Sequence, residues 1–240
     1  MTGTTTDTFF NGTLTVSQSR SGYRFSIDAI LLAAAHEPKS GQKVVDLGTG
    51  CGIIPLIIAH RHPDSRIFGV EMQPDLADLA RSNVDRNRMA DRIRILQTDM
   101  RLLTPGQVDG PVDLVVSNPP YRKAESGRIN PNAQRAIARH EIHLTLEQLL
   151  HTVRRILRTG GRFLTIYPAQ RTVDLLERMR HCGLEPKRLT AIHSRRTESA
   201  KLILVHGSMR GNPGLIVDPP LVIYNSDGTF TDEVQVMMQD

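Results

Sequence analysis

The sequence predicts an α/β fold: a doubly wound, mostly parallel sheet of seven strands, the last two forming an antiparallel pair. Three observations carry this. Short runs rich in β-branched residues alternate with longer stretches of helical periodicity. A glycine cluster follows the first such run directly. The final two runs are joined by a short polar turn with no room for a crossover helix.

The elements follow in order. Residues 1–8 are polar and rich in Thr and read as a frayed tail. Residues 27–36 read as a helix with Ser26 as its N-cap. Residues 44–47 form an apolar run ending in glycines, a buried strand, and 54–61 a helix. A strand over 66–71 and a helix over 75–88 come next, then strands over 93–97 and 112–117. The last of these is apolar and β-branched, as a strand covered on both faces should be. Residues 118–142 carry no periodic pattern. A helix over 146–158 is stopped by Gly160-Gly161. A strand over 163–167, a helix over 171–182 and strands over 187–192 and 201–206 complete the sheet. Beyond Gly207, Pro219-Pro220 and Asn225-Ser226-Asp227-Gly228 mark turns. The expected organisation is one domain over 1–240: a lead-in segment and helix (1–40), a core (41–207) and a C-terminal extension (208–240).

Composition excludes several classes. At 240 residues and 39% hydrophobic content the chain has enough apolar material for a packed domain, so wholesale disorder is excluded. The longest uncharged apolar run, 53–59, is far short of the ~20 residues that a bilayer span needs. Residues 1–7 lack a basic start and an apolar stretch, which predicts no secretory signal. Cys51 and Cys182 are too few for a disulfide framework or a multi-cysteine zinc site, which predicts a reducing cytoplasm. The nine histidines show no metal-ligand spacing with these cysteines, so no metal is expected, and His60 and His62 are expected to face solvent at a helix end. The formal charge is +5, and the basic residues are twenty-five arginines against five lysines. Arginine suits bidentate phosphate contact and stacking on bases, although net charge speaks to association and not to fold.

The first chemical signal is Asp46-Leu47-Gly48-Thr49-Gly50-Cys51-Gly52. Glycines let the backbone turn sharply from strand to helix and let a ligand approach closely. A pyrophosphate-binding loop has the spacing G-x-G-x-x-G. Here the spacing is G-x-G-x-G, with an acid two residues before the first glycine. A carboxylate at Asp46 would repel a pyrophosphate but would orient an ammonium or a bound water. S-adenosylmethionine (SAM) carries an ammonium and a sulfonium and no phosphate, so the loop favours SAM over NAD. Cys51 is read as a small residue whose backbone N–H, not its thiol, faces the cofactor. Glu71, 23 residues beyond Gly48 and followed by Met72, ends the second strand and can accept both ribose hydroxyls. Asp99 follows the third strand and can accept from an adenine amine while Met100 packs on the adenine face. Three acids at the carboxyl ends of three successive strands lie where ligands bind in open α/β sheets.

The second signal is Ser117-Asn118-Pro119-Pro120-Tyr121, directly after the fourth strand. Two prolines stiffen the backbone and remove two donors. The Asn118 side-chain oxygen and the Pro119 carbonyl remain as acceptors for one planar –NH2 group. Holding those two hydrogens localises the nitrogen lone pair toward an incoming methyl, which is catalysis by preorganised acceptors. Tyr121 offers a ring for a base rotated out of its stack. The proton leaves after methyl transfer, so no early general base is required. Arg122, Lys123, Arg128, Arg135 and Arg139 lie within the next 18 residues, and basic side chains there would neutralise RNA phosphates. Arg195-Arg196 and Lys187-Arg188 are candidates to extend that patch, but spacing alone does not put them on one face.

Together, the glycine loop and Asn118-Pro119-Pro120-Tyr121 resemble the SAM-dependent methyltransferases that act on amino nitrogens. Within these the chain most resembles the bacterial valine-tRNA adenine-N6 methyltransferases, which modify adenosine 37 beside the anticodon. Residues 22–32 (GYRFSIDAILL), Arg139-His140-Glu141, Pro186-Lys187-Arg188-Leu189 and Ala200-Lys201 carry the narrower match. The resemblance covers nearly the whole chain; residues 207–240 are less typical of it. It implies a Rossmann-like class I methyltransferase with SAM as cofactor, tRNA as partner and no membrane. It also implies that Arg24, Phe25 and Asp28 lie over the methionine end of SAM. Glutamine-amide methyltransferases of release factors share both central motifs but carry a helical domain ahead of the glycine loop, for which 43 residues before Val44 are too few. A DNA adenine methyltransferase needs an added recognition domain. A non-catalytic RNA-binding homologue would not need Asn118 or an intact loop. An NAD-dependent oxidoreductase is disfavoured by the loop spacing. The expected reaction is therefore N6-methylation of an adenosine in tRNA.

Overall fold

The computed structural model describes residues 4–19, 26–36, 39–119 and 145–239. In chain order its elements are β1 (Thr4–Phe9), β2 (Leu14–Ser19), α1 (Ile27–Ala34), β3 (Lys43–Leu47), α2 (Ile53–Arg61), β4 (Arg66–Glu71), α3 (Pro74–Arg86) and β5 (Ile93–Gln97). These are followed by β6 (Val112–Ser117), α4 (Leu146–Ile156), β7 (Leu157–Pro168), α5 (Thr172–His181), β8 (Leu184–His193) and β9 (Leu202–Met209). The short strands β10 (Ile216–Val217) and β11 (Leu221–Val222) and the helix α6 (Asp232–Gln239) come last.

The main sheet has the order β10-β8-β9-β7-β6-β3-β4-β5, with β11 also on β8. Strand β3 is flanked by β4 on one side and β6 on the other, all parallel. The chain thus winds outward in both directions from β3, and the crevice at the carboxyl ends of β3 and β6 is the switch point where such sheets bind ligands. Alternation along the strands splits the core. Val44, Ile67, Leu114 and Leu164 face a layer that includes α1 and α2, whereas Val45, Phe68, Val115 and Phe163 face α4 and α5. Each fully buried Leu, Ile or Phe stabilises the fold by roughly 1.5–3 kcal/mol. Helix α2 is buried at every position from Ile53 to Ala59, so its apolar run is core.

Several expectations need correction. Residues 4–9 are not a frayed tail: they pair antiparallel with β2 across a tight turn in which Phe10, Asn11 and Gly12 all have positive φ. The final two strands are antiparallel as expected, but β9 is also antiparallel to β7. It is therefore β9 alone that is reversed, and β8 runs with the core. Seven long strands are present, and β10 and β11 add two short parallel partners to β8, making nine. Helix α4 ends at Ile156, not at 158. Leu157 is already extended and buried, and strand β7 runs through both glycines across a shift in register with β6. Gly161 is required there because a Cβ would lie 2.8 Å from the Leu157 side chain and the Arg158 carbonyl. Ser26 stands at the N-cap of α1 but makes no capping side-chain bond. His60 and His62 do not simply face solvent: the His60 ring lies 4.7 Å from Phe10 and the His62 ring 6.2 Å from His36. The turn at 225–228 forms as expected, with Gly228 at φ +89°. Beyond it, α6 packs near α1 and Val234 is fully buried.

Candidate active site

The glycine loop leaves β3 at its carboxyl end. Gly48, Gly50 and Gly52 have φ of +82°, +57° and +86°, a path open at little cost only to residues without a Cβ. Gly52 also needs its missing side chain for packing, since a Cβ would meet Ala80 of α3 at 3.3 Å. The amides of Gly48 and Thr49 both donate to the Val70 carbonyl, at 2.9 and 3.0 Å. Gly52 donates to Thr49 at 2.9 Å. Gly50 donates to Oε2 of Glu71 at 3.0 Å. Four of the five loop amides are thus engaged, and the Cys51 amide has no such acceptor among the described residues. The Cys51 thiol is buried, and burial pushes it up to about 11, out of nucleophilic range at neutral pH.

Asp46 is fully buried, and neither of its carboxylate oxygens has a hydrogen-bond partner among the described residues. Burial pushes its carboxyl up to about 7; the neighbouring Thr49 hydroxyl opposes this and the charge of Glu71 adds to it. The Thr49 hydroxyl is itself buried and, among the described residues, has no partner within hydrogen-bonding geometry. A buried carboxylate without a partner is costly unless a cation meets it, so these acceptors fit an ammonium group.

Glu71, buried at the end of β4, accepts from Gly50 through one oxygen and from the Gln73 amide through the other, at 2.9 Å. Each oxygen keeps a lone-pair site for a hydroxyl. Met72 follows it. Asp99 caps a short 3₁₀ turn (Met100–Leu102). Its oxygens accept from the Arg101 amide and, in a bidentate pair, from the Arg101 guanidinium. That side-chain pairing holds the Asp99 carboxyl below its ordinary value. The Met100 methyl lies near Gly48, where a Cβ would meet it at 3.8 Å. Asp28, half-buried on α1, is pushed up by burial, with the Ser26 side chain opposing.

Strand β6 is pinned at its carboxyl end from both sides. The Ser117 hydroxyl donates to the Leu47 carbonyl at 2.8 Å, and the Ser117 carbonyl accepts from Thr165 at 2.9 Å. Asn118, half-buried, and Pro119, buried, project from this anchor. Asp46 pairs with Val116 in the sheet, so the first loop glycine and Asn118 each follow two residues beyond this pair, at the same edge of neighbouring strands.

Sequence reasoning missed Asn83. It sits in mid-helix on α3 and is fully buried. Its side chain accepts from the Ser17 amide and donates to the Ser17 and Cys51 carbonyls, all at 2.9 Å. Asn87, one turn on, accepts from Thr15 at 2.9 Å and donates back to it at 2.7 Å. Two amides four residues apart thus pair with strand β2 as another strand would, and Asn83 alone also fastens the glycine loop. The signal available was an asparagine in a helix interior, a position it disfavours, with a second asparagine four residues on at the helix C-cap.

Arg24, Phe25, Pro120, Tyr121, Arg122, Lys123, Arg128, Arg135 and Arg139 lie outside the described residues. Among the described residues, no group of three or more His, Cys, Asp or Glu could hold a metal, and no helix is long and apolar enough to cross a membrane.

Comparison with known proteins now bears on this geometry. The methyltransferase small domain matches residues 24–181. A tRNA1(Val) (adenine(37)-N6)-methyltransferase from Porphyromonas gingivalis is 35% identical over 205 residues, covering 83% of this chain and 80% of the relative. The chain belongs to this family. A member from Pedobacter heparinus is 28% identical, with 94% of this chain and 93% of the relative covered. Among solved structures, a predicted O-methyltransferase from Agrobacterium tumefaciens superposes with a TM-score of 0.70 at 23% identity, over 88% of this chain and 94% of that one. A geranyl diphosphate C-methyltransferase from Streptomyces coelicolor superposes with a TM-score of 0.55 at 17% identity, over 75% and 78%. These likenesses establish the Rossmann-like class I methyltransferase fold.

Proposed function

We propose that the chain transfers a methyl group from SAM to N6 of an adenosine in tRNA, at position 37 of a valine tRNA, the substrate named for its relatives. The observation that carries this reading is the pairing of two sites one strand apart. One is a buried, unpartnered carboxylate at Asp46, suited to a cationic cofactor. The other is the acceptor pair of Asn118 and Pro119, suited to a planar amine.

In this reading Asp46 holds the ammonium end of SAM, and the Cys51 amide faces the cofactor. Glu71 takes the ribose hydroxyls on its two remaining lone-pair sites. Met72 and Met100 pack on the adenine side, and Asp28 lies near the methionine end with Arg24 and Phe25. Asp99 would accept from the adenine amine of SAM, sharing its carboxylate with Arg101. SAM supplies a methyl carbon already activated by its sulfonium. Asn118 Oδ1 and the Pro119 carbonyl accept the two amine hydrogens of the target adenosine and aim its lone pair. With SAM bound, the N–C bond would form as the C–S bond breaks, and the amine proton would then leave to water. Pro120 stiffens the acceptor loop, and Tyr121 stacks the base. Arg122, Lys123, Arg128, Arg135 and Arg139 neutralise phosphates. A single domain in the cytoplasm fits this role.

The test is methyl transfer from labelled SAM to unmodified tRNA, with nucleoside mass spectrometry of the product. N6-methyladenosine, mapped by oligonucleotide digestion to position 37, is the expected result. Label in a release-factor glutamine and none in RNA would replace this reading with the protein-amide one.

A further inference from the structure

The sheet topology decides which basic residues share an edge with Asn118. Strand β8 runs with the parallel core, so its carboxyl end and the turn that follows it, residues 194–201, lie on the same edge as the glycine loop and Asn118. Arg195 and Arg196 are in that turn, and Lys201 closes it. Lys187 and Arg188 lie within β8 instead, and both are engaged: Lys187 donates to the Asn212 carbonyl at 2.9 Å, and Arg188 makes a bidentate pair with Asp218.

The turn is built, not loose. The Lys201 amide donates to Ile192 and its carbonyl accepts from Ala169, both at 3.0 Å, tying it to the end of β7. His193 Nδ1 lies 2.7 Å from the Glu198 carbonyl. The C-terminal extension braces it from outside: Ile223 donates to His193 at 2.9 Å and Tyr224 to Ser194 at 3.0 Å. Arg195, Arg196 and Lys201 are all exposed. Arg195 has a long ion pair with Glu198, at 3.4 Å. No ion pair engages Arg196 or Lys201 among the described residues. On the opposite edge the pattern reverses. There Lys43 donates to the Asp109 carbonyl, and Arg66 and Arg158 pair with Asp109 and Asp113.

We propose that Arg196 and Lys201, with Arg195 beside them, form a second contact for the phosphate backbone of the RNA, flanking the site where the target adenosine is held. Strand order places β9 two strands and β8 three strands from β6, about 10 and 14 Å across the sheet. That separation suits phosphates a few nucleotides from the target base. The turn supplies affinity and register, with no base readout. The C-terminal extension acts by holding the turn in place. This inference rests on the RNA reading above.

The experiment compares Arg196→Ala/Lys201→Ala with the native protein, measuring KM for an unmodified tRNA transcript and KM for SAM across a salt series. Lys39→Ala, an exposed lysine ahead of β3 on the opposite edge, is the control. The expected result is a rise of about tenfold or more in KM for RNA at low salt and an unchanged KM for SAM. The salt slope should become shallower by about 0.7 for each lost single-strand phosphate contact. Arg196→Lys/Lys201→Arg should restore most of the loss, because phosphate positioning needs charge more than shape. Native KM for RNA and native salt slope in the double variant would overturn the proposal. So would an equal rise in both KM values, or an equal effect of Lys39→Ala. Failure of the underlying reading is a different observation: no RNA methylation by the native protein.

Discussion

The two halves of the catalytic edge handle charge in opposite ways. On the β3–β5 side the acids Asp46 and Glu71 are buried, and the one basic partner described there, Arg101, is paired with Asp99. Four of the loop amides there are consumed by Val70, Thr49 and Glu71, and among the described residues Asp46 is the acid of the three without a hydrogen-bond partner. On the β7–β9 side the charged groups of the 194–201 turn are mostly basic and exposed, and the turn is held mainly by its backbone hydrogen bonds. A small cation of fixed shape is best met by a dry, preorganised acid, where Coulomb attraction is weakly screened. A long flexible polyanion is best met by exposed cations that exchange counterions. The difference teaches that one edge can select a cationic cofactor and a polyanionic substrate without either field cancelling the other.

The comparison can be broken most severely at Asp46. Asp46→Asn removes the buried charge and should weaken SAM binding by about a hundredfold or more, as expected for losing a desolvated ionic contact of ~3 kcal/mol. Isothermal titration would show it, and SAM affinity unchanged by the substitution would refute the assignment. The same group makes a pH prediction. Its folded value of about 7 lies above the ordinary carboxylate range, so the folded state holds more protons than the unfolded state between about pH 4 and 7. Its contribution to stability is fully present below that window and is lost as pH rises through it. Relative to Asp46→Asn, the ligand-free native protein should therefore lose melting temperature from pH 5 to pH 8. SAM affinity should move the other way, rising with pH, because the carboxylate must be ionised to meet an ammonium.

A smaller effect sharpens the comparison at α3. Asn83→Ala leaves the Ser17 amide and carbonyl and the Cys51 carbonyl without their partner, a loss of about 3 kcal/mol in stability. It should also raise KM for SAM about tenfold, because the loop is no longer fastened. Asn87→Ala cuts the same strand from the same helix but does not touch the loop, so it should destabilise the protein with KM for SAM unchanged. Equal shifts in KM for SAM from both variants would reduce Asn83 to a structural residue. The smallest effect is at Arg101. Arg101→Ala releases Asp99 from its bidentate pair and should tighten SAM binding a few fold, in line with a charged hydrogen bond freed to meet the cofactor. Weaker binding would show that Arg101 itself contacts SAM.

Most of the parallel core was legible because the runs at 44–47, 67–71 and 112–117 are largely buried on both faces, and such burial leaves a nearly continuous apolar signature. The acids and glycines of the site were legible for a related reason: strand ends and positive-φ turns constrain residue type locally. What escaped depends on tertiary pairing. Strand β1 is polar, and its partner β2 is held by asparagine side chains from a helix 66 residues away, which no local pattern announces. The start of β7 was hidden because Gly160-Gly161 reads as a helix stop, whereas here Gly160 takes a positive φ and Gly161 permits a close backbone approach inside a strand. Arg195-Arg196 and Lys187-Arg188 look alike as dipeptides. Only the direction of β8 separates the pair at the edge from the pair along the strand.

The division of the edge into a cofactor half and an acceptor half is tested most directly by Asn118→Ala. Single-turnover methyl transfer to tRNA and SAM binding by titration should be measured on the same preparation. The account predicts a fall in the transfer rate of at least about a hundredfold, the scale of losing a preorganised polar contact made in the transition state, with SAM affinity within a few fold of native. Transfer at the native rate, or SAM affinity lost in step with it, would contradict the account.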